Sequence, residues 1–311
     1  LADAYTRMLR IRRVEERLSR LLSEKGVPGF IHLCIGQESV PVAVSQHLRV
    51  SDTVALTHRG HGQALAKGVD LAGFFAEMMG KANGLCGGLG GSMHIADMDI
   101  GILGANGIVG GGMPLATGSA LAHQLDAQGN IAVCYFGDGA LAEGIFHECL
   151  NLAALWALPL LFVCENNGWG EFSRTDRQFC GQLSKLAAAF DVEYQFVDGM
   201  DVMSVAATAE KIIDRMRREG RPAVLECRVE RFHGHFEGDP QQYRDPAELA
   251  SLADKDCLAR TCATLLAAGF DESALATLEA EIEAEIEAAV AAAHAAGAPT
   301  FEAARAAVYA R

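Results

Sequence analysis

Two short polar motifs, GDG at residues 137–139 and ENN at residues 165–167, have the residue types and spacing best suited to chemistry. Each follows an apolar run that is typical of a buried strand, at residues 131–136 and 160–164. The spacer between the motifs is long enough for one helix and the return strand. Because a right-handed strand–helix–strand crossover brings both loops to the carboxyl edge of a parallel sheet, we expect the two motifs to lie side by side.

An aspartate carboxylate and an asparagine carbonyl that meet at such an edge are hard oxygen ligands, which suit magnesium or calcium. The glycines beside Asp138 allow backbone N–H groups to approach a phosphate, and the N-terminus of the following helix favours negative charge. A lone GDG is a common turn, but its pairing with ENN at crossover spacing argues for a site. The sequence has no G-x-x-x-x-G-K-[ST] loop, and no G-x-G-x-x-G opens a helix after a strand. The motifs therefore predict a magnesium-bridged diphosphate site.

The elements that must position these motifs alternate between strand and helix. Buried strands are predicted at 54–57, 131–136, 160–164, 194–197 and 223–228. Helices are predicted between and around them, at 3–25, 37–48, 72–79, 114–124, 143–156, 183–190 and 202–219, and again after Asp271. Continuous apolar strands that alternate with helices indicate an α/β fold, in which a parallel sheet is covered by helices on both faces.

One further segment, residues 80–113, is long and rich in glycine. A stretch of this length without regular structure in a compact protein is usually functional. No internal repeat or low-complexity linker divides the chain. We therefore expect a single domain over residues 1–311, with peripheral helices at the N-terminal and C-terminal ends.

Composition limits the partners and the compartment. Lys and Arg number 26 against 40 Asp and Glu, and the resulting net charge of −14 argues against nucleic acid or an anionic membrane as a partner. The nine cysteines include no Cys-x-x-Cys pair, so we expect reduced thiols rather than a zinc site or a disulfide framework. Charged residues occupy the N-terminal region where a signal peptide needs an apolar run, and no window approaches the length of a membrane span. These features predict a cytoplasmic protein.

Motifs along nearly the whole chain carry a family resemblance. They are GFIHLCIGQE at 29–38, THRGHG at 57–62, GGSMHI at 90–95, GANGIVGGG at 104–112, GDG at 137–139, EGIFHECLNLAAL at 143–155, VCENN at 163–167, DGMD at 198–201 and GHFEGDPQQYR at 234–244. Together they resemble the alpha subunit of the thiamine diphosphate-dependent component of 2-oxo acid dehydrogenase complexes. Within that family, the motifs GGSMHIAD, GANGIVGGG and GHFEGDPQ look most like acetoin dehydrogenase alpha subunits. The resemblance implies a thiamin diphosphate-binding fold of the diphosphate-binding type.

The resemblance also implies roles for individual residues. The magnesium ligands would be Asp138, Asn167 and the backbone carbonyl of Trp169, where the family often has Tyr. The cofactor would be contacted by His58, Arg59, Gly107, Ile108, Val109, Gly137, Gly139, Ala140, Asn167 and His235. Among these, His58 stands where relatives often have Tyr, and Ile108 would wedge the two cofactor rings into a bent conformer.

Two histidines match residues that face the substrate end in the family, and they are the catalytic candidates. His235 lies in a polar loop, where a core role is not expected. His32 is surrounded by apolar residues, so a hydrogen-bonded core histidine is nearly as good an interpretation as a substrate contact. Arg59 also has an alternative interpretation: it could be an ordinary ion-pair residue instead of a cofactor contact.

The activity implied by the resemblance is that of a thiamine-dependent oxidoreductase. It would cleave acetoin and pass the acyl group to the lipoyl group of a separate acyltransferase, acting with a beta subunit in a heterotetramer of two alpha and two beta chains. No second sheet unit is predicted that could bind the pyrimidine ring, so we expect the chain to be inactive alone. Phe236 replaces the serine that is phosphorylated in animal pyruvate relatives, so phosphorylation is not expected there. The alternatives are a pyruvate or branched-chain 2-oxo acid dehydrogenase alpha subunit and, more remotely, a non-catalytic nucleotide-binding or scaffold protein.

Overall fold

The computed structural model of the chain describes residues 1–308, and residues 309–311 of the predicted single domain lie outside them. The strands are β1 Thr53–Ala55, β2 Ile102–Gly104, β3 Ala132–Gly137, β4 Leu160–Asn166, β5 Trp169–Gly170, β6 Ser173–Arg174, β7 Glu193–Asp198 and β8 Ala223–Arg228. In the described chain, six of them form one sheet in the order β2-β1-β3-β4-β8-β7, with every neighbouring pair parallel. The other two, β5 and β6, form a short antiparallel hairpin.

Helices surround this sheet. They are α1 Ala2–Ser23, α2 Ser39–Ser45, α3 His61–Lys67, α4 Leu71–Met78, α5 Gly112–Asp126, α6 Gly144–Leu155, α7 Leu183–Ala189, α8 Val202–Glu219, α9 Pro246–Ala250, α10 Cys257–Ala267, α11 Glu272–Ala295 and α12 Phe301–Ala306. Among the described helices, none is both long enough and apolar enough to cross a lipid bilayer.

Both faces of the sheet are covered, as β3 illustrates. Val133 and Tyr135 belong to one core with residues of α1, α2 and α8. Cys134 and Phe136 belong to a second core with residues of α5 and α6. Because successive side chains of a strand point to opposite faces, this division places a helical layer on each side. The predicted α/β fold with a parallel sheet between helical layers is confirmed.

The main differences from prediction lie in short elements. Residues 80–113 are not wholly irregular, because they include β2, which pairs with β1, and two 3₁₀ turns. The helices α3, α9, α10 and α12 and the hairpin of β5 and β6 were not predicted, and α2 is shorter than the predicted helix over 37–48. A strand of two or three residues, or a helix of about two turns, is too short to give a clear apolar period. This reason does not cover α10, which has 11 residues.

The glycine-rich segment is held in place by one buried carboxylate. Glu77, at the end of α4, accepts backbone N–H groups from Cys86 and Gly88 through Oε2 and from Gly90 and Gly91 through Oε1, over 2.7–2.9 Å. The side chain of Glu77 is fully buried. Since a carboxylate is a strong acceptor of several N–H bonds, Glu77 fixes the backbone path from residue 86 to residue 91.

Candidate active site

A pocket with an empty volume of about 770 Å³, including its open mouth, lies where β1, β3 and β4 end. Several residues that line the pocket belong to the loops at the carboxyl ends of these strands. Thr57 lies in the loop after β1, and Gly139 lies in the loop after β3. The predicted site residues that line it are His58, Arg59, Ile108, Val109, Gly137, Gly139, Ala140, Asn167 and Trp169. The parallel crossover from β3 to β4 thus brings the two polar motifs to the same edge of the sheet.

The two motifs are in direct contact. The backbone N–H of Asn167 donates to Asp138 Oδ1 over 3.2 Å, and the hydroxyl of Thr175 donates to the other carboxylate oxygen. Burial raises the pKa of Asp138, and these hydrogen bonds oppose that effect. The side chain of Asn167 is oriented by Gln37, which accepts from Nδ2 over 3.0 Å. This set of carboxylate and amide oxygens has the chemistry of a magnesium site.

The third predicted metal ligand, the carbonyl of Trp169, belongs to a firmly held residue. The backbone N–H of Trp169 donates to Asn167 Oδ1, and its indole N–H donates to Glu248, both over 3.0 Å. The guanidinium groups of Arg174 and Arg244 lie 5.6 and 5.8 Å from the indole ring. These contacts fix the backbone at position 169 without the Tyr that relatives often have there.

The backbone of the GDG motif fits the approach of a phosphate. Gly137 is extended, and the 3₁₀ turn Asp138–Ala142 then leads into the N-terminus of α6. A Cβ added at Gly137 would meet nothing within 4 Å, so this position is open. A Cβ at Gly139 would lie 3.1 Å from Gly170 Cα, so a larger residue there would press the two loops apart by a few tenths of an ångström. An open backbone beside a helix N-terminus suits an anion.

Arg59 joins three segments beside the pocket. Its guanidinium donates to the carbonyl of Leu33 over 2.6 Å and to the carbonyl of His235 over 2.8 Å. Burial, together with the nearby charge of Arg231, lowers the pKa of Arg59 to about 10, so the group stays charged at neutral pH. Because these two partners are backbone carbonyls, the alternative of an ordinary ion-pair residue does not describe Arg59.

The imidazoles of His32, His58 and His235 form a cluster, with ring centroids 4.7, 4.9 and 5.4 Å apart. Burial and the charge of Arg59 lower the pKa of His58 to about 2, that of His32 to about 3 and that of His235 to about 4. All three rings are therefore neutral at neutral pH. His32 is buried, and its Nδ1 has no hydrogen-bond partner in the described structure, so the alternative of a hydrogen-bonded core histidine does not fit it.

Four predicted residues do not line this pocket. His32 and His235 lie next to it, behind His58 in the cluster. Asp138 instead borders a neighbouring cavity, which has an empty volume of about 950 Å³. Gly107 is also outside the lining, although Ile108 and Val109 from the same loop belong to it. The roles predicted for all of these residues stay predictions.

Sequence reasoning missed two charged residues at the pocket. Glu165 hydrogen-bonds to Gln63, and burial raises its pKa to about 8. Arg231 donates to the hydroxyl of Tyr243 over 2.9 Å. Glu165 could have been found from its place in the ENN motif. Arg231 could have been found as a charged residue in the loop that follows the buried strand β8.

Arg231 also belongs to a network that fixes the loop of His235. The Tyr243 hydroxyl donates to Asp239 over 2.6 Å, and the same carboxylate oxygen accepts the backbone N–H of His235 over 2.7 Å. The loop after β8 is therefore held against the pocket by side chains from residues 231 to 243.

Comparison with known proteins gives a family and several close relatives. The model of the dehydrogenase E1 component family matches residues 6–302. The chain is 49% identical over 256 residues to the alpha subunit of acetoin:2,6-dichlorophenolindophenol oxidoreductase from Bacillus subtilis (strain 168), covering 82% of this chain and 77% of the relative. It is 46% identical over 262 residues to the subunit of the same name from Cupriavidus necator, covering 83% and 78%. It is 39% identical over 282 residues to the pyruvate dehydrogenase E1 component subunit alpha from Zymomonas mobilis, covering 90% and 80%.

Proposed function

Because the chain belongs to the dehydrogenase E1 component family, whose members are thiamine diphosphate-dependent oxidoreductases, we propose that it is the alpha subunit of an acetoin-cleaving dehydrogenase. The observation that carries this proposal is the contact of Asp138, which borders the neighbouring cavity, with Asn167, which lines a pocket with an open glycine backbone. The substrate is inferred from the two relatives at 49% and 46% identity, which are both named for acetoin.

In this proposal the cofactor is thiamine diphosphate, bound through magnesium. Asp138, Asn167 and the carbonyl of Trp169 hold the metal ion. The diphosphate is held by Gly137, Gly139, Ala140, His58 and Arg59, and the middle of the cofactor by Gly107, Ile108 and Val109. His235 contacts the cofactor at its substrate end. The donor set fits this assignment, because hard oxygen ligands stand beside backbone N–H groups and a buried guanidinium. The positive groups also reverse, locally, the field of a chain whose net charge is −14.

When bound, the cofactor supplies the carbanion chemistry that cleaves the bond next to a carbonyl. The protein residues orient the substrate and handle protons. Neutral imidazoles of His32 and His235 can each donate or accept a hydrogen bond at the substrate end. The guanidinium of Arg59 fixes the loop of His235 through its carbonyl, and so holds this imidazole next to His58.

The proposal includes a beta subunit. Ile108 and Val109 line the pocket and yet are 74% and 50% exposed in this chain, which supports a partner surface that closes over the loop. The assembly is inferred to be a heterotetramer of two alpha and two beta chains in the cytoplasm. The acyl group would pass to a lipoyl-bearing acyltransferase.

A second candidate function uses the same thiamine diphosphate chemistry on a 2-oxo acid in place of acetoin. Relatives named pyruvate dehydrogenase, such as the one at 39% identity, favour a 2-oxo acid as the alternative. Enzymes for pyruvate and branched 2-oxo acids would use the same metal-binding and diphosphate-binding residues. The two candidate functions therefore differ only in the residues that contact the substrate.

The test is reconstitution with a beta subunit of the same family, followed by dye reduction with acetoin, pyruvate and branched 2-oxo acids. We expect acetoin to give the highest kcat/KM, activity to need both chains, and activity to depend on thiamine diphosphate and magnesium. Preference for a 2-oxo acid would select the second candidate. Full turnover by the isolated chain would contradict the role proposed for the beta subunit.

A further inference from the structure

Three imidazoles beside the pocket converge in the way that metal ligands do. His32, His58 and His235, the histidine cluster, each offer a ring nitrogen, and these atoms lie within 4.8 Å of one another. Within residues 1–308, no other set of three His, Cys, Asp or Glu side chains brings its ligand atoms together so closely. A tetrahedral zinc ion with Zn–N distances of about 2.1 Å holds neighbouring nitrogens about 3.4 Å apart. Small rotations of the rings therefore close the cluster on an ion.

Hydrogen bonds to the main chain hold together the three segments that carry these rings. The carbonyl of Ile31 accepts the backbone N–H of Glu237 over 2.9 Å, which joins the segment before α2 to the loop after β8. The guanidinium of Arg59, in the loop after β1, donates to the carbonyls of Leu33 and His235. Because every segment of the cluster is linked to another, the backbone is already in place and only the side chains need to turn.

The rings are in the protonation state that binds a metal ion. Burial, and then the charge of Arg59, lower the pKa of each imidazole well below its usual value. Neutral imidazole is the form that ligates metals, so an ion that binds at neutral pH displaces no proton from the cluster. The buried Nδ1 of His32 has no hydrogen-bond partner among residues 1–308, so no group there competes with a metal ion for this nitrogen.

The charges around the cluster select the kind of ion. The guanidinium groups of Arg59 and Arg231 act on all three rings and oppose a cation, whereas the carboxylate of Asp239 favours one beside His235. An ion must therefore gain strongly from nitrogen ligands to bind here. Zinc does so, whereas magnesium prefers oxygen. We expect a zinc Kd on the order of 1 µM, weaker than that of a structural zinc site because of the two guanidinium groups.

We propose that the histidine cluster is a zinc site, separate from the oxygen ligands assigned to magnesium, and that zinc bound there inhibits the enzyme. The binding stands on the geometry alone, and the inhibition rests on the proposed function, in which His32 and His235 serve the substrate end. An ion held by the cluster occupies the ring nitrogens that would hydrogen-bond to the substrate. It also holds His58 away from the cofactor, so zinc and substrate exclude each other.

The first test needs no turnover. The complex reconstituted from both chains, treated with a chelator and free of thiamine diphosphate, is titrated with cobalt(II), whose visible spectrum reports a tetrahedral site, and then with zinc. We expect one tetrahedral cobalt ion per alpha chain, displaced by zinc. His58→Tyr, which installs the residue that relatives often have, and His235→Gln should each weaken zinc binding at least about tenfold. Any zinc site on the beta subunit is the same in all of these complexes.

Two exposed residues supply the controls. His294→Gln removes an imidazole near the end of α11, and Cys180→Ser removes an exposed thiol that could bind zinc by itself. Neither change should alter the Kd for zinc. His58 and His235 are only half-buried, so their variants are expected to fold even if a change at the buried His32 is not tolerated.

The second test measures inhibition with excess magnesium and an electron-accepting dye, because a dithiol acceptor would itself bind zinc. Each protein is compared with its own zinc-free rate, so a lower rate in a variant does not enter the result. We expect zinc to raise the apparent KM for acetoin, a zinc-selective chelator to restore it, and the inhibition constant to rise at least about tenfold in His58→Tyr.

The outcomes separate the two proposals. An unchanged zinc Kd in both cluster variants, a cobalt spectrum without a tetrahedral site, or loss of binding in Cys180→Ser would each overturn the zinc site. If the wild-type complex oxidises neither acetoin nor a 2-oxo acid but zinc binding depends on the cluster, the proposed function fails and the site stands. If acetoin is oxidised and zinc inhibits wild type and His58→Tyr equally, the inhibitory role of the cluster fails alone.

Discussion

The backbone N–H of Asn167 donates to the carboxylate of Asp138 over 3.2 Å, and so joins two loops that are 29 residues apart in the chain. The contact bears on the proposed metal site. One carboxylate oxygen of Asp138 is oriented by the loop that carries the amide oxygen of Asn167, so the two proposed ligands are positioned together.

We predict that Asp138→Ala abolishes the magnesium dependence of thiamine diphosphate binding. The change removes the only carboxylate among the proposed ligands, and we expect the affinity in magnesium to fall at least about a hundredfold, the upper end of what losing a supporting group costs. Isothermal titration calorimetry with and without magnesium measures this. Asp99→Ala, an exposed carboxylate outside the pocket, is the control. Binding that still strengthens with magnesium in Asp138→Ala would contradict the assignment.

The sequence was sufficient to predict the pairing of these loops, because strand–helix–strand periodicity is a local pattern and the crossover follows from it. It could not predict the groups that hold the loops. Gln37 accepts from Asn167 across 130 positions, and Gln63 reaches Glu165 across 102. Such contacts depend on how separate segments pack, and no residue period marks them. The short strand β2 was missed for a related reason, since it is stabilised by pairing with β1.

Arg59→Lys is expected to weaken both the fold and the cofactor site. The guanidinium spans the carbonyls of Leu33 and His235, and a lysine ammonium cannot reproduce that fork. Leaving one buried carbonyl unpaired costs about 1–3 kcal/mol of the free energy of unfolding. Urea denaturation measures this loss, and calorimetry should give an affinity for the cofactor about tenfold lower. Arg20→Lys, at an exposed position on α1, should change neither quantity; equal effects in the two variants would refute the bridging role.

Glu77→Gln tests how the glycine-rich segment is held. The carboxylate accepts four backbone N–H groups, two at each oxygen. In glutamine one oxygen becomes an NH₂ group, which faces two N–H donors that then have no acceptor. We expect a loss of about 2–6 kcal/mol in the free energy of unfolding, since each of the two unsatisfied buried donors costs about 1–3 kcal/mol.

Amide hydrogen exchange shows which residues lose stability in Glu77→Gln. Amide protection should fall at residues 86–91 in Glu77→Gln and should stay unchanged in Glu210→Gln, an exposed residue of α8. Uniform destabilisation without a local change in exchange would show that the carboxylate does not anchor this segment.

The histidine cluster should make the free energy of unfolding depend on acid pH. Burial, and then the charge of Arg59, lower the pKa of His58 to about 2, against about 6.5 in the unfolded chain. The other groups that face it are His32, His235 and Arg231, and none of them is negatively charged. Below about pH 6.5 the unfolded state binds a proton that the folded state does not, so this contribution to stability is full above pH 6.5 and is lost as the pH falls.

Replacing His58 with Gln removes this titration. Comparing thermal unfolding at pH 7.0 and at about pH 4.5, we expect the melting temperature of wild type to fall by several degrees more than that of His58→Gln. His294→Gln, at an exposed position near the end of α11, should follow wild type. A parallel decline of wild type and His58→Gln would mean that His58 is protonated as readily in the folded chain as in the unfolded one. Burial would then not hold the imidazole of His58 in its neutral form.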